Sequence, residues 1–413
     1  MVNLKDIKVV IGANYGDEGK GLITDYLVNE YKETYGGKGI VILTNGGAQR
    51  GHTVVTPEGE EHVFHHFGSG TFAGADTYLP KQFIVNPMIF MKEYSNLVRK
   101  CRIPKNIQLN INCLVSTPYD MLANAVIENS RGDNRHGSVG VGIWETLVRS
   151  KAESLPGFDV KTKTVSELCN MSDDEIDKYL LNVALVYYVP YLSNEHNTTF
   201  GSYAEVVSSE ALRRHWITDF RNMCSICRFV ASDYIISTYD FAVFENAQGL
   251  LLDKSLEGKE GHTTPSKTDL TYVKDILEGV PGSKYVKKEV VFVTRSYLTK
   301  HGAGDILPEH IADWEADKML SDTPEWVKHD DETNVPNDYQ GTLKYAHINW
   351  KDLNSRINSV EKYGFRPSIA ITHLDEEPCI IVPDHESNDV FKHMYLSYGR
   401  TRKDIKEEKE KNK

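Results

Sequence analysis

The stretch that most constrains the fold is Lys8 to Tyr31, where VVIGANYGDEGKGLITDYLVNEY follows a lysine. An apolar run at Val9 to Ile11 precedes a glycine-dense turn. Leu22, Ile23, Tyr26, Leu27 and Tyr31 then recur at helical spacing, which reads as strand, loop and helix. A buried strand feeding a helix through such a turn aims backbone N–H groups at a phosphate. Lys20 adds a point charge for the outer phosphates. The usual pattern follows its lysine with a Ser or Thr that reaches the metal. Here Gly21 follows Lys20, so Asp17 is the candidate metal ligand. Asp17, Glu18 and Lys20 stand among Gly12, Gly16, Gly19 and Gly21, more chemistry than a plain strand–helix turn needs.

Later segments repeat this alternation. Gly39 to Leu43 (GIVIL) is a strand, and TNGGAQRGHTVV after it carries His52 between Gly51 and Thr53. On spacing alone His52 is equally a structural or a catalytic residue. HVFHHFGSGTF (His62 to Phe72) reads as a strand and turn on the same cleft. Residues 84 to 130 alternate strands and helices without a motif. Ser130 to Ser150 is a polar loop entering an amphipathic helix. There Ser138 and the amides near Gly140 and Gly142 suit a second anion, with Arg131, Arg135 and Arg149 nearby.

Residues 151 to 235 read as a mostly helical insertion of structural character. Tyr239 to Asp253 (YDFAVFENAQGLLLD) is a strand with Gln248 in its polar turn, where an amide suits a base edge. Gly261 to Thr268 is a hydroxyl-rich loop containing Thr264. Val290 to Tyr297 is a strand leading into LTKHGAGD. Residues 305 to 338 read as an acidic, irregular surface excursion, and TNVPNDYQGTLKYA ends near Lys344. Pro367 to Asp375 is a strand closing in Thr-His-Leu-Asp, where a carboxylate matches the two-donor edge of guanine. The whole is one α/β unit over residues 1–402, with a charged, solvated tail over 403–413. Its expected core is a mainly parallel central sheet with flanking helices, similar to P-loop nucleotide hydrolases, with helical and irregular insertions.

A net charge of −12 over 413 residues argues against a general nucleic-acid binder. Six cysteines form no disulfide framework, and Cys224-x-x-Cys227 lacks the second pair a zinc site needs. No apolar run approaches the ~20 residues that span a membrane, and MVNLKDIK has no leader-like apolar region. A soluble, cytoplasmic protein is expected.

Together these segments resemble adenylosuccinate synthetase in motif order over nearly the whole chain. GDEGKG at Gly16 to Gly21 is similar to that family's phosphate loop, and GGAQRGHTVV to its second loop. FENAQGLLLD resembles its glutamine turn, YLTKHGAG its aspartate loop, THLD its guanine-reading segment, and LSYGRTR its C-terminal nucleotide contact. The resemblance implies a GTP-dependent ligase that joins L-aspartate to C6 of IMP, as a homodimer with Mg2+. It implies catalysis by Asp17 as base and His52 as acid, with Lys20 holding phosphoryl charge, and metal binding by Asp17 and the Gly51 carbonyl. Nucleotide binding would fall to Gly16, Glu18, Gly19, Lys20, Gly21, His373, Asp375, Ser397 and Gly399. The acceptor would meet Asn14, Gln49, Ser138, Val139, Arg149, Gln248 and Thr264. Aspartate would meet Thr299, Lys300, His301, Gly302, Ala303 and Lys344.

The departures lie mostly in the acceptor pocket. Ala48, Gln49 and Arg50 replace Asn-Asn-Ala, and Ser138-Val139 replaces Thr-Thr. An arginine-rich loop gives way to NDYQGTLKYA, leaving Lys344, which lacks the bidentate geometry of arginine. His373 replaces a lysine beside the base, which leaves GTP or ATP open as donor. Divergent family members, viral ones included, act on dGMP and carry a smaller hydroxyl residue where Asp17 stands. Retention of Asp17 favours IMP, with dGMP second. Readings of another class are a GTP-binding regulatory protein and a simple GTPase.

Overall fold

Among the described residues, sixteen strands form the frame: β1 (Asp6–Gly12), β2 (Gly39–Leu43), β3 (His52–Val55), β4 (Glu61–Phe64), β5 (Asp76–Leu79), β6 (Ile84–Val85), β7 (Ile107–Leu109) and β8 (Leu114–Val115) come first. β9 (Arg228–Phe229), β10 (Phe241–Gly249), β11 (Lys287–Arg295), β12 (Leu298–Lys300), β13 (Lys344–Ala346), β14 (Arg366–Thr372), β15 (His393–Ser397) and β16 (Ile405–Lys409) complete them. This computed structural model describes residues 4–153, 156–260, 262–278, 280, 282–315, 341–358, 364–376 and 391–409.

Ten strands make one sheet in the order β16-β15-β14-β11-β1-β10-β2-β5-β7-β9. Every neighbouring pair is parallel except β15 with β16. A parallel sheet must be covered on both faces, which is why β1 is buried nearly throughout. Alternation then divides its side chains. Val10 joins Val41, Val243 and Val291 under α1 (Lys20–Tyr35), whose Leu22, Ile23, Leu27, Val28 and Tyr31 cover that face. Ile7, Val9 and Ile11 join Ile40, Phe244 and Phe292 beneath the helices Thr271–Glu278 and Trp350–Asn358. The fold is α/β, with strand C-termini converging where ligands bind in such sheets.

The helices between residues 165 and 226 are integral to the first of these layers. Val165, Ile176, Leu180, Trp216 and Phe220 belong to the same apolar cluster as α1. Trp216 also donates its indole N–H to the Ser116 carbonyl at 3.2 Å. Cys227 is buried and Cys224 instead faces Cys169, with sulfurs 3.7 Å apart, so the C-x-x-C spacing does not form a pair.

One expectation is corrected. The tail over 403–413 contains β16, an antiparallel edge strand zipped onto β15 from Ile405 to Lys409. Its alternating charge, read as solvation, suits an edge strand that must not recruit another sheet. Glu407 meets His393 Nδ1 at 2.5 Å, and just before the strand Arg402 meets Asp25 at 2.8 Å. Residues 410–413, and all but the start of the acidic excursion over 305–338, lie outside the described residues.

The phosphate loop seats directly on β10. Gly12 pairs with Gly249 across an irregularity after Val10. A Cβ on Gly249 would stand 2.2 Å from the Asn14 carbonyl oxygen. Gly249→Ala is therefore expected to destabilise the fold by about 1–3 kcal/mol, read as a lowered thermal midpoint.

Candidate active site

The loop between β1 and α1 is wound by three left-handed residues, Gly16 (φ 91°), Asp17 (φ 58°) and Gly19 (φ 85°). Asp tolerates this conformation better than most side chains do. The Asp17 carbonyl accepts from Arg295 Nε at 2.6 Å, and Oδ2 from His301 Nδ1 at 2.7 Å. Burial raises the Asp17 pKa, but the hydrogen bond and charge of His301, with Lys20 and Arg295, bring it below the usual value. Asp17 is thus ionised near neutral pH.

Glu18 turns inward. Its Oε1 accepts from the Asn14 N–H at 2.6 Å, and burial pushes its carboxyl up to about 6. Lys20 Nζ lies 3.6 Å from Glu18 Oε2, an atom with no hydrogen-bond partner. Part of the Lys20 charge is therefore spent steadying the loop.

His52 opens β3, and its Nδ1 meets Glu245 Oε1 at 2.6 Å. Glu245 also accepts from the Ser69 N–H at 3.2 Å and from its hydroxyl, and lies 3.5 Å from Arg50. These contacts hold Glu245 down near 2 although burial opposes ionisation. Burial lowers His52 to about 4, outweighing the Glu245 charge. The free ring is neutral, donating through Nδ1–H and leaving Nε2 as an acceptor. Glu245 sits in the apolar run YDFAVFENAQ. A lone carboxylate in a buried strand must be paired, which is the signal that singles it out.

After α2 (Pro87–Arg99) the chain forms α3 (Pro118–Ser130) and α4 (Ile143–Ser150), which flank the polar loop. The amides just ahead of those expected near Gly140 and Gly142 are curled round Glu128, while the Gly140 N–H donates to the Ser138 hydroxyl at 3.4 Å. Glu128 Oε2 accepts from the N–H groups of His136, Gly137 and Ser138 at 3.0, 3.1 and 3.4 Å. The Ser138 hydroxyl donates to Asn124 at 2.8 Å. Asn124 donates in turn to Glu145, whose carboxyl burial pushes up to about 7.

A single cleft of about 1020 Å³ gathers most of the candidate residues. Its walls include Gly16 to Gly21, Gln49, Gly51, His52, Ser138, Val139, Gln248, Thr264, His301, Gly302, Ala303, His373, Asp375 and Gly399. The cations Lys20, Arg50, Arg131, Arg295 and Arg400 border it too. His373 is left-handed (φ 61°), with Nδ1 2.7 Å from the Thr372 hydroxyl, and Asp375 is exposed just beyond.

Six candidates stand behind the wall. Arg149 is fully buried and bidentate to Asp120 at 2.8 and 2.7 Å, with its remaining nitrogen on Val160 and Tyr179. Asp120 also caps α3, so this arginine locks two helices together instead of meeting an acceptor. Asn14 braces the loop, donating to Thr294 at 2.9 Å and accepting from Arg356 at 2.6 Å. Lys344 donates to the carbonyls of Gly302 and Gly304 at 2.9 and 2.6 Å, and Lys300 to that of Asp305 at 2.8 Å. Thr299 is buried with its hydroxyl unpartnered, and the Ser397 hydroxyl donates to Gly399.

Glu260, Glu309 and His310 bring ligand atoms within 4.8 Å of one another. Both His310 nitrogens already face carboxylates, Asp352 at 2.7 Å and Glu260 at 3.0 Å. The group is a hydrogen-bonded brace, also tied to Tyr15. Among the described residues, no helix is long and apolar enough to cross a membrane.

The family model for adenylosuccinate synthetase matches residues 9–329, well over half of the chain. The chain belongs to the adenylosuccinate synthetase family. It is 26% identical to the Thermoplasma acidophilum adenylosuccinate synthetase over 304 residues, covering 74% of this chain and 64% of the relative. It is 28% identical to that of a Picosynechococcus strain over 302 residues, covering 72% and 61%. The match thus spans somewhat under two thirds of the first of these synthetases. In fold, the chain is similar to the fully ligated Plasmodium falciparum adenylosuccinate synthetase, with a TM-score of 0.68 at 16% identity, covering 97% and 99% of the two chains. It is also similar to the cyanophage S-2L succinoaminodeoxyadenylate synthetase bound to dGMP and dATP, with a TM-score of 0.59 at 14% identity, covering 98% and 95%.

Two outcomes follow for this family member. Arg149→Met strands the buried Asp120 charge and should cost about 3–5 kcal/mol, seen in chemical denaturation. In an imidazole NMR titration, His52 should stay neutral from pH 8 down to about 5, since its folded value near 4 lies below the unperturbed value of about 6.5. The unfolded chain binds more protons across that window, so the stability from this site falls as pH falls through it.

Proposed function

We propose that the protein is a GTP-dependent ligase that condenses L-aspartate with C6 of IMP, giving adenylosuccinate, GDP and phosphate in the cytoplasm. One observation carries the reading: the phosphate loop, His52, the Ser138 loop, the His301 loop and Asp375 line one cleft. A donor, an acceptor and an amino acid can therefore meet without leaving it.

The 6-oxygen of a purine is a poor leaving group and must first be phosphorylated. Asp17, ionised in its loop, takes the N1 proton, and O6 attacks the γ-phosphorus as its bond to the β-phosphate oxygen breaks. Lys20 balances charge on the transferring group. His52 donates to that group only as imidazolium. The triphosphate's negative charge favours this form, and Glu245 on the opposite nitrogen supports it. The amine of aspartate then forms the C6–N bond, loses a proton, and phosphate departs with the former O6.

Asp17 and the exposed Gly51 backbone offer hard oxygen donors of the kind Mg2+ takes. They would hold Mg2+, which neutralises phosphate charge when bound. The Asp375 carboxylate would accept from both donors of guanine, favouring GTP over ATP. A homodimer is part of the proposal, on family resemblance.

The test is phosphate release with Mg2+, aspartate and GTP or ATP across IMP, dIMP, GMP and dGMP, with mass spectrometry of the product. Aspartate-dependent turnover with IMP is expected. Turnover only with dGMP would move the acceptor to the 2-aminopurine class, and release without acceptor would replace the ligase by a hydrolase. Asp17→Ala should lower turnover by about 100- to 10,000-fold. Asp375→Asn should raise KM for GTP while leaving ATP use unchanged.

A further inference from the structure

Asn14 and Tyr15, which lead into the turn at Asp17, are gripped from behind the cleft by one closed circuit of side chains. The Tyr15 hydroxyl donates to Glu260 Oε2 at 3.0 Å, and Glu260 Oε1 lies 3.0 Å from His310 Nε2. His310 Nδ1 lies 2.7 Å from Asp352 Oδ2, which pairs with Arg356 one helical turn on. Arg356 Nη2 then donates to Asn14 Oδ1 at 2.6 Å, which returns the circuit to the loop. Carboxylates and bare ring nitrogens only accept, so each His310 contact holds a proton, whichever partner carries it.

Glu260 and His310 are 1% and 3% exposed, and the cleft wall includes neither of them, nor Asp352, nor Arg356. All four therefore reach a ligand only through the loop. Tyr15 borders the cleft, but its hydroxyl faces the circuit and accepts the Leu307 N–H at 3.5 Å. Buried charged circuits add little net stability over apolar packing of the same shape. What they supply is direction, because each hydrogen bond constrains an angle.

The circuit also draws distant segments onto the loop. Glu260 directly precedes the hydroxyl-rich loop at Gly261 to Thr268, and His310 follows LTKHGAGD. Asp352 and Arg356 stand on the helix Trp350–Asn358. Asp17 comes next but one after Tyr15, in a left-handed turn (φ 58°), so a swing at Tyr15 carries its carboxylate off line. Misplacing a reacting group by about 1 Å can cost a hundred-fold in rate.

We propose that His310 is a positioning residue for Asp17. Through Glu260 and Tyr15 on one side, and Asp352, Arg356 and Asn14 on the other, it fixes where the base points. This rests on the ligase reading above, in which Asp17 takes the N1 proton.

The test cuts one arm of the circuit at two points in the full-length protein. Tyr15→Phe removes the hydroxyl and keeps the ring. In His310→Asn the amide reaches the place of Nδ1 and leaves Glu260 without its partner. Each should lower kcat roughly ten-fold, with KM for IMP and aspartate unchanged. The double variant should be no slower than the slower single one, since the arm is already cut. Glu260→Gln should stay near wild type, because its amide accepts from Tyr15 and donates to Nε2. Glu260→Leu should match His310→Asn. Thermal melts establish which variants are folded, and Tyr15→Phe, the mildest, decides the matter if the others are not. A wild-type kcat in Tyr15→Phe, losses that multiply in the double variant, a raised KM in place of a lowered kcat, or Glu260→Gln as slow as Glu260→Leu would overturn the proposal. Absence of acceptor-dependent turnover in the wild type would overturn the ligase reading itself, and this inference with it.

Discussion

The cleft depends on how closely the phosphate loop approaches the ends of β1 and β10. At Gly12 an added Cβ would stand 2.0 Å from Glu18 Oε2, and at Gly249 2.2 Å from the Asn14 carbonyl oxygen. With hydrogen there instead, the loop folds over both strand ends. Glu18 tucks beneath it, Asn14 is pinned between Thr294 and Arg356, and Asp17 is left outermost. The left-handed turn at Asp17 aims its carbonyl at Arg295 and its carboxylate at His301. The phosphate loop, Arg295 and the His301 loop are thereby linked through one residue.

Charge is handled by the same logic. The chain carries −12 overall, yet its buried carboxylates are mostly paired in ways that fix geometry. Asp120 engages Arg149, Glu245 engages His52 and Arg50, and Glu289 meets Lys8 at 2.5 Å within the sheet. Such pairs add little net stability, since desolvation offsets much of the attraction, but each is expensive to break. The cations along the cleft are the ones that charge arithmetic over the whole sequence could not locate. Lys20, Arg131, Arg295 and Arg400 come from four distant stretches of chain.

Much of the site was legible beforehand because its chemistry is local. The strand–loop–helix at Lys8 to Tyr31 depends on neighbours in sequence, and so do the glycine turns around His52 and His301. Residues whose role depends on direction were not legible. Arg149 lies on an amphipathic helix beside a candidate anion loop, yet its side chain points into the core, where Asp120 had to be neutralised. Lys344 looked like a remaining ligand cation and instead caps the carbonyls of the loop it was meant to assist. The tail misled for a related reason. An exposed edge strand and a solvated tail share a composition, and only the unpaired edge of β15 distinguishes them.

By itself, the sequence determined the strand–loop–helix at Lys8 to Tyr31 and the polar side chains carried by short glycine turns, because these follow from backbone geometry within a few residues. Tertiary structure decided which charges remain for a ligand. That outcome depends on which carboxylate each cation meets across the sheet, as Glu245 meets His52 over a separation of 193 residues and Asp17 meets His301 over 284. Desolvation makes those pairings obligatory once the fold closes, and nothing local in the chain specifies the partner.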